Sequence, residues 1–141
     1  MRLDPQECRS RLRRAGHGIL ATTRPDGRPH AVPVCFTLES NLVAVPHDHV
    51  KPKSNGRLQR ERNVEADGRA ALLIERFDLG DWSRLWWVRA DLTAIGIDAD
   101  DDLRSRLEES LRHKYPQYVG EPFDDLLVFV IDTITGWSAV G

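Results

Sequence analysis

The stretch from Gly16 to Pro46, GHGILATTRPDGRPHAVPVCFTLESNLVAVP, constrains the fold more than any other part of the chain. It reads as three extended runs joined by turns too short to hold a crossover helix, so consecutive strands must run antiparallel. Ile19 to Thr23 is apolar and β-branched. Pro25-Asp26-Gly27 then supplies a turn, since proline presets φ and glycine accepts positive φ. In the next run Val32, Val34 and Phe36 fall on one face and Ala31, Pro33 and Cys35 on the other, the period of a strand. Pro33 has no N–H to donate, which predicts an edge or a bulge there. Glu39-Ser40-Asn41 is a polar turn, and Leu42 to Val45 forms the third strand.

The rest of the chain adds three more strands. RAALLIE, from Arg69, reads as a buried strand. RLWWVRADLTAIGI, from Arg84, reads as a long one, and LLVFVID, from Leu126, as a last buried one before the closing TGWSAVG. Asp4-Pro5 opens a helix predicted to run to about Ala15, with Asp4 as N-cap and Pro5 at the first helical position. Arg57 to about Val64 favours a short helix, ended by Asp67-Gly68. The acidic run Asp98 to Asp102 precedes Leu103, Leu107 and Leu111 at helical spacing, and Pro116 stops that helix. Acids at a helix start complement its dipole, so this run reads as a capping device rather than a metal site. The expected fold is mainly β with flanking helices (α+β). It is a single domain over residues 1–141, whose six antiparallel strands close into a small barrel that leaves no open edge.

Charge narrows the function. Lys51, Lys53, Arg57, Arg60 and Arg62 fall close together in VPHDHVKPKSNGRLQRERN, while the formal net charge of the whole chain is −2. That balance argues against nucleic-acid binding, which needs a broad basic surface, and favours a small polyanionic ligand. A loop leading into a short helix offers backbone N–H groups and a positive dipole end, and Lys, Arg, Ser54 and Asn55 add donors for a phosphate. A solvated charged helix, partly neutralised by Glu61 and Glu65, fits the same spacing. His47 and His49 form an H-x-H pair without an evident third ligand, so no metal site is expected. Cys8 and Cys35 lack disulfide or zinc spacing, and Cys35 reads as a small core residue. No run is long enough to span a membrane and no secretion signal is evident, so a cytoplasmic protein is expected.

Trp86 and Trp87 are adjacent, so a strand points them to opposite faces, with Arg89 beside Trp87. Each ring reads either as core or subunit contact, or as the wall of a planar cofactor. Glycine-rich dinucleotide, Walker and G-x-S-x-G motifs are missing, as is any proton-shuttling set, which suits a borrowed cofactor that carries the chemistry.

The blocks ILATTRPDGRPHAVPVCF, KPKSNGRLQRERNVEADGRAALLIE, DWSRLWWVRADLTA and TGWSAVG resemble the pyridoxamine-5′-phosphate-oxidase-like split barrels, and within them the probable F420-dependent enzymes of actinobacteria. The resemblance implies a six-stranded split β-barrel and a homodimer with two cofactor sites at the interface. In such deazaflavin-using relatives a Lys or Arg three residues before an N-[LV]-x-x-[DN] turn helps bind the cofactor phosphate. That position is Arg60 here, followed by Asn63-Val64 and Asp67. Lys51, Lys53 and Arg57 would serve the phosphate or an acidic glutamyl tail. Gly68 replaces the proline found in many relatives, which loosens the turn. The backbone of Pro33 and Val34, with Ala21 and Thr22 alongside, would face the ring, and Trp86 or Trp87 of a second chain would cover it. The implied activity is hydride transfer from reduced coenzyme F420 to an electron-poor small-molecule acceptor, with no catalytic residue fixed by the pattern. An FMN-using oxidase or reductase, and a deazaflavin carrier without turnover, are the alternatives.

Overall fold

The computed structural model describes residues 1–48, 57–97 and 100–140. Helix α1 spans Pro5–Arg14, and the Asp4 carboxylate caps it by accepting from the Glu7 N–H at 2.9 Å. Pro5 sits in the first turn, where its missing N–H costs no helical bond. Basic Arg11, Arg13 and Arg14 in the last turn favour the negative end of the dipole. Helix α2 covers Gln59–Ala66 and α3 covers Asp101–Lys114, whose cap is Asp100, accepting from the Leu103 N–H at 2.9 Å. Single 3-10 turns lie at Trp82–Arg84 and Pro116–Tyr118.

Seven strands form one antiparallel sheet: β1 Gly18–Thr23, β2 Pro29–Val34, β3 Thr37–Glu39, β4 Leu42–Asp48, β5 Arg69–Arg76, β6 Trp86–Ile95 and β7 Phe123–Ser138. Their spatial order is β2-β1-β5-β6-β7-β4-β3. The expected count of six misses β3. That strand is only three residues long, and its hairpin to β4 turns at Ser40, whose φ of 53° is left-handed. The last strand is also much longer than LLVFVID. Its first part pairs with β4 and its second with β6, so Thr133, Thr135 and Gly136 stay in the ladder despite breaking the apolar run. Nor does the ladder close into a barrel. Among the described residues no pairing joins the two outer strands, β2 and β3. Pro33 does lie on an edge strand, as its missing N–H requires.

The sheet curls instead. Val34 of β2 and Leu38 of β3, at opposite ends of the strand order, share one buried cluster with Leu20, Leu72, Val88 and Phe129. Helix α1 covers this cluster through Cys8 and Leu12. Its approach to β7 is close: a Cβ built on Gly136 would meet the Cys8 sulfur at 2.7 Å, so only glycine fits there. Both cysteines are free thiols, and Cys35 packs half-buried against a second cluster. That cluster lies on the other face of β4 and β7, where Leu107, Leu111, Tyr118 and Phe123 cover Ala44 and Val128. By contrast β5 is buried on one face only. Leu72 and Ile74 point inward while Leu73 is 37% exposed, so its apolar run does not mark a two-sided core strand. No helix among the described residues is long and apolar enough to cross a membrane.

Candidate functional site

Register brings together residues that the sequence separates. Thr22 of β1 lies opposite His30 of β2, and helix α2 packs on the same corner. Asn63 of α2 is fully buried. Its Nδ2 donates to the Thr22 hydroxyl at 3.0 Å, and its Oδ1 accepts from Gln59 Nε2 at 2.7 Å. Both ends of the amide are engaged, so Asn63 pins α2 to β1.

Glu61, two residues earlier, is also buried. Its Oε1 accepts from the Leu58 N–H at 2.9 Å, the reciprocal half of a capping box, and its Oε2 lies 3.1 Å from His47 Nδ1. His47 Nε2 in turn faces Asp124 at 3.8 Å. Glu61 therefore does not neutralise the neighbouring arginines, as a solvated-helix reading assumes. Glu65 does, through its ion pair with Arg57. Among the described residues no group of three or more histidine, cysteine or acidic side chains is arranged to hold a metal ion.

Arg60 projects from α2, and its Nη2 donates to the Pro46 carbonyl at 3.0 Å, which ties the guanidinium to the end of β4. His30 stands in the electrostatic field of both Arg60 and Arg24. Burial first, and then these two guanidinium groups, hold its imidazole below the ordinary histidine range, so it is neutral at pH 7. Its Nδ1 is buried with no hydrogen-bond partner among the described residues. An unpartnered ring nitrogen beside two guanidinium groups is the electrostatic signature of a place for an anion, which would complete the bond and relieve the repulsion. Sequence reasoning did not reach His30 or Arg24. The pairing of Thr22 with His30 across the Pro25-Asp26-Gly27 turn was the signal that could have found them.

The other expected site residues fall in distinct places. Lys51, Lys53, Ser54 and His49 lie outside the described residues. Arg57 is exposed at the start of α2. Pro33 points to the outward face of β2, while Val34 points into the core. Trp86 and Trp87 do face opposite ways. Trp86 packs against the core under the Arg11 guanidinium, 4.9 Å from its centroid, and Trp87 lies outward with Arg89 at 5.5 Å. Neither tryptophan is near α2 within one chain. The segment leaving α2 meets β6 through the Ala94 N–H bond to the Gly68 carbonyl at 2.7 Å. Ala94 is eight residues from Trp86, or roughly 26 Å of extended strand.

A family model described as pyridoxamine 5′-phosphate oxidase matches residues 4–138. No curated protein is matched by the sequence. Several solved structures share the fold. A conserved hypothetical protein of Mycobacterium tuberculosis aligns with a TM-score of 0.75 at 17% identity, over 97% of this chain and 86% of that one. An FAD-binding protein of Mesorhizobium loti aligns at 0.67 and 17%, over 96% and 93%. The heme storage protein HutZ of Vibrio cholerae aligns at 0.68 and 17%, over 95% and 94%.

Proposed function

Since the chain belongs to the pyridoxamine 5′-phosphate oxidase family, we propose that it binds a flavin-type cofactor by its phosphate at the α2 corner and serves as an oxidoreductase. The observation that carries this reading is the buried His30 Nδ1, unpartnered among the described residues and in the electrostatic field of Arg24 and Arg60. A phosphate oxygen accepting from His30 and paired with Arg60 fits that site. Among the similar folds, the FAD-binding protein of Mesorhizobium loti agrees with a flavin, while HutZ of Vibrio cholerae carries the same fold in a heme storage protein.

The finer proposal is coenzyme F420. Lys51, Lys53, Arg57 and Arg60 fall within ten positions of the sequence, more cations than a single phosphate requires, and an acidic tail would use the surplus. FMN has no such tail and would leave several of these cations idle. When bound, the reduced deazaflavin supplies a hydride to an electron-poor acceptor such as an enone, a quinone or a polycyclic alkene. The protein's part is binding and positioning. Arg60 is held by the Pro46 carbonyl, α2 is held by Asn63 and Glu61, and these fix the angle at which an anion is met.

A homodimer belongs to the same proposal. The outward face of β5, β6 and β7 exposes Leu73 and Trp137, the latter opposite Trp87, and a second copy meeting this face would bring Trp87 near the ring of the first.

Calorimetric titration of the protein with F420 and, separately, with FMN tests the cofactor. F420 is expected to bind more tightly and to lose more affinity as salt rises. Arg60→Ala is expected to weaken F420 binding more than tenfold, in line with roughly 1.5–3 kcal/mol for a charge-assisted bond. An unchanged dissociation constant would remove Arg60 from the site. Tight binding with no reduction of any acceptor in a broad panel would instead favour a carrier.

A further inference from the structure

A second concentration of positive charge lies at the other end of β6. Arg11 and Arg14 of α1, Arg76 at the end of β5, and Arg84 at the end of the 3-10 turn line a groove of ≈ 690 Å³, with Trp86 also in its wall and Asp81 the sole carboxylate lining it among the described residues. That volume falls within the usual range for small-molecule sites.

The charges of this groove are only partly met within the protein. Arg11 bonds Glu7 at 2.8 Å, and Arg84 is shared between Asp78 at 3.5 Å and Asp81 at 3.6 Å. Asp81 is itself committed, since its Oδ1 accepts from the Ser83 N–H at 3.0 Å and the Ser83 hydroxyl at 2.6 Å. Among the described residues Arg14 donates only to the neutral Ser10 hydroxyl, at 2.8 Å. Among the described residues neither Arg14 nor Arg76 has a carboxylate within ion-pair distance. Two uncompensated guanidinium groups thus face a groove whose wall includes an indole already engaged by a third.

The geometry points to a second ligand site here, for a compact small molecule carrying two or more phosphate or carboxylate groups. Guanidinium forks suit both oxyanions. A nucleic-acid strand is disfavoured, because Glu7, Asp78 and Asp81 flank the groove and the chain as a whole is acidic. The site is separate from the α2 corner and does not rest on the cofactor assigned there.

Tripolyphosphate and citrate, titrated into the full chain by calorimetry at low salt, test this directly. The wild-type protein is expected to bind at least one of them, with affinity falling as potassium chloride is added. The tighter probe identifies the oxyanion that the groove prefers. Arg14→Gln with Arg76→Gln, both on exposed positions and so expected to leave the melting curve unchanged, should weaken that binding at least tenfold. Arg60→Ala should leave it intact. Absence of binding by the wild type, equal binding by the double variant, or loss on Arg60→Ala alone would each overturn the assignment. None of these results would bear on F420 affinity, which the Arg60 substitution reads separately.

Discussion

Helices α1 and α2 lie against the same sheet but are held by opposite means. Helix α1 buries Cys8 and Leu12 in the main core, is capped by Asp4 and closes onto Gly136. The buried residues of α2 are Glu61 and Asn63, and it has no side-chain N-cap. It is fixed to the sheet by hydrogen bonds from Asn63 to Thr22, between Glu61 and His47, and from Arg60 to the Pro46 carbonyl. Apolar burial is non-directional and tolerates small shifts. Buried polar bonds are directional and costly to leave unmade. The difference separates a helix held by non-directional burial from one held by directional bonds, and it is the second, α2, that carries Arg60, the residue proposed to meet the cofactor phosphate.

The comparison is broken most severely on the α1 side. Leu12→Ala removes a fully buried side chain and is expected to cost about 2–5 kcal/mol in a denaturant titration, with little change in cofactor affinity once the protein is folded. A loss well below that would mean α1 contributes little to the core. On the α2 side, Asn63→Ala leaves the Thr22 hydroxyl and the Gln59 amide without their partner, at about 1–3 kcal/mol. It should also weaken cofactor binding. A double-mutant cycle with Thr22→Val sharpens the point: additive losses would show that the two side chains do not form the lock described here.

Helix α3 offers an intermediate case, a charged helix docked by Leu107 and Leu111 with a cation half-buried at its end. Lys114 donates to the Phe36 carbonyl at 2.9 Å and lies 4.0 Å from the Phe36 ring centroid, and burial pushes its pKa down to about 8. Burial likewise pushes the nearby Tyr115 hydroxyl up to about 12. Between about pH 8 and 10 the unfolded chain holds the Lys114 proton more tightly than the folded one, so stability should rise with pH. Above about pH 10 the sign reverses, since folded Tyr115 keeps its proton while the unfolded tyrosine loses it. The effect is moderated by the partial exposure of both groups. Lys114→Met should flatten the rise, read from melting temperatures across that range, and an unaltered profile would assign the rise elsewhere. The smallest effect is expected at the α1 cap, where Asp4→Ala should cost about 1 kcal/mol and leave cofactor binding alone. A larger loss would mean that α1 depends on its first turn more than on Leu12.

These contrasts also explain what could be read in advance. Asp4-Pro5, the Leu107 and Leu111 spacing and Pro116 announced α1 and α3, because capping and apolar periodicity are local signals. The opposite facing of Trp86 and Trp87 followed from strand period alone. The buried face of α2 is polar, so no apolar stripe marks it, and the roles of Glu61 and Asn63 emerge only from their partners in β1 and β4. Strand β3 is too short to separate from the turn after it. His30 became legible only through its register with Thr22. Arg57 and Arg60 were named from charge and motif, but the contact that orients Arg60 is to a main-chain carbonyl, which carries no side-chain signature.

The prolines of β2 have a consequence for how copies of the molecule meet. The Arg24 N–H bonds the Arg28 carbonyl, so even-numbered residues face β1 across this hairpin, and the amide positions of Pro29, Ala31 and Pro33 look away from it. Two of those three positions have no hydrogen to give. The rim of the sheet therefore offers a poor template for an incoming strand, which guards against fibril-like stacking and strand exchange. The opposite rim, β3, has no proline, so this guard acts on the β2 side of the sheet alone.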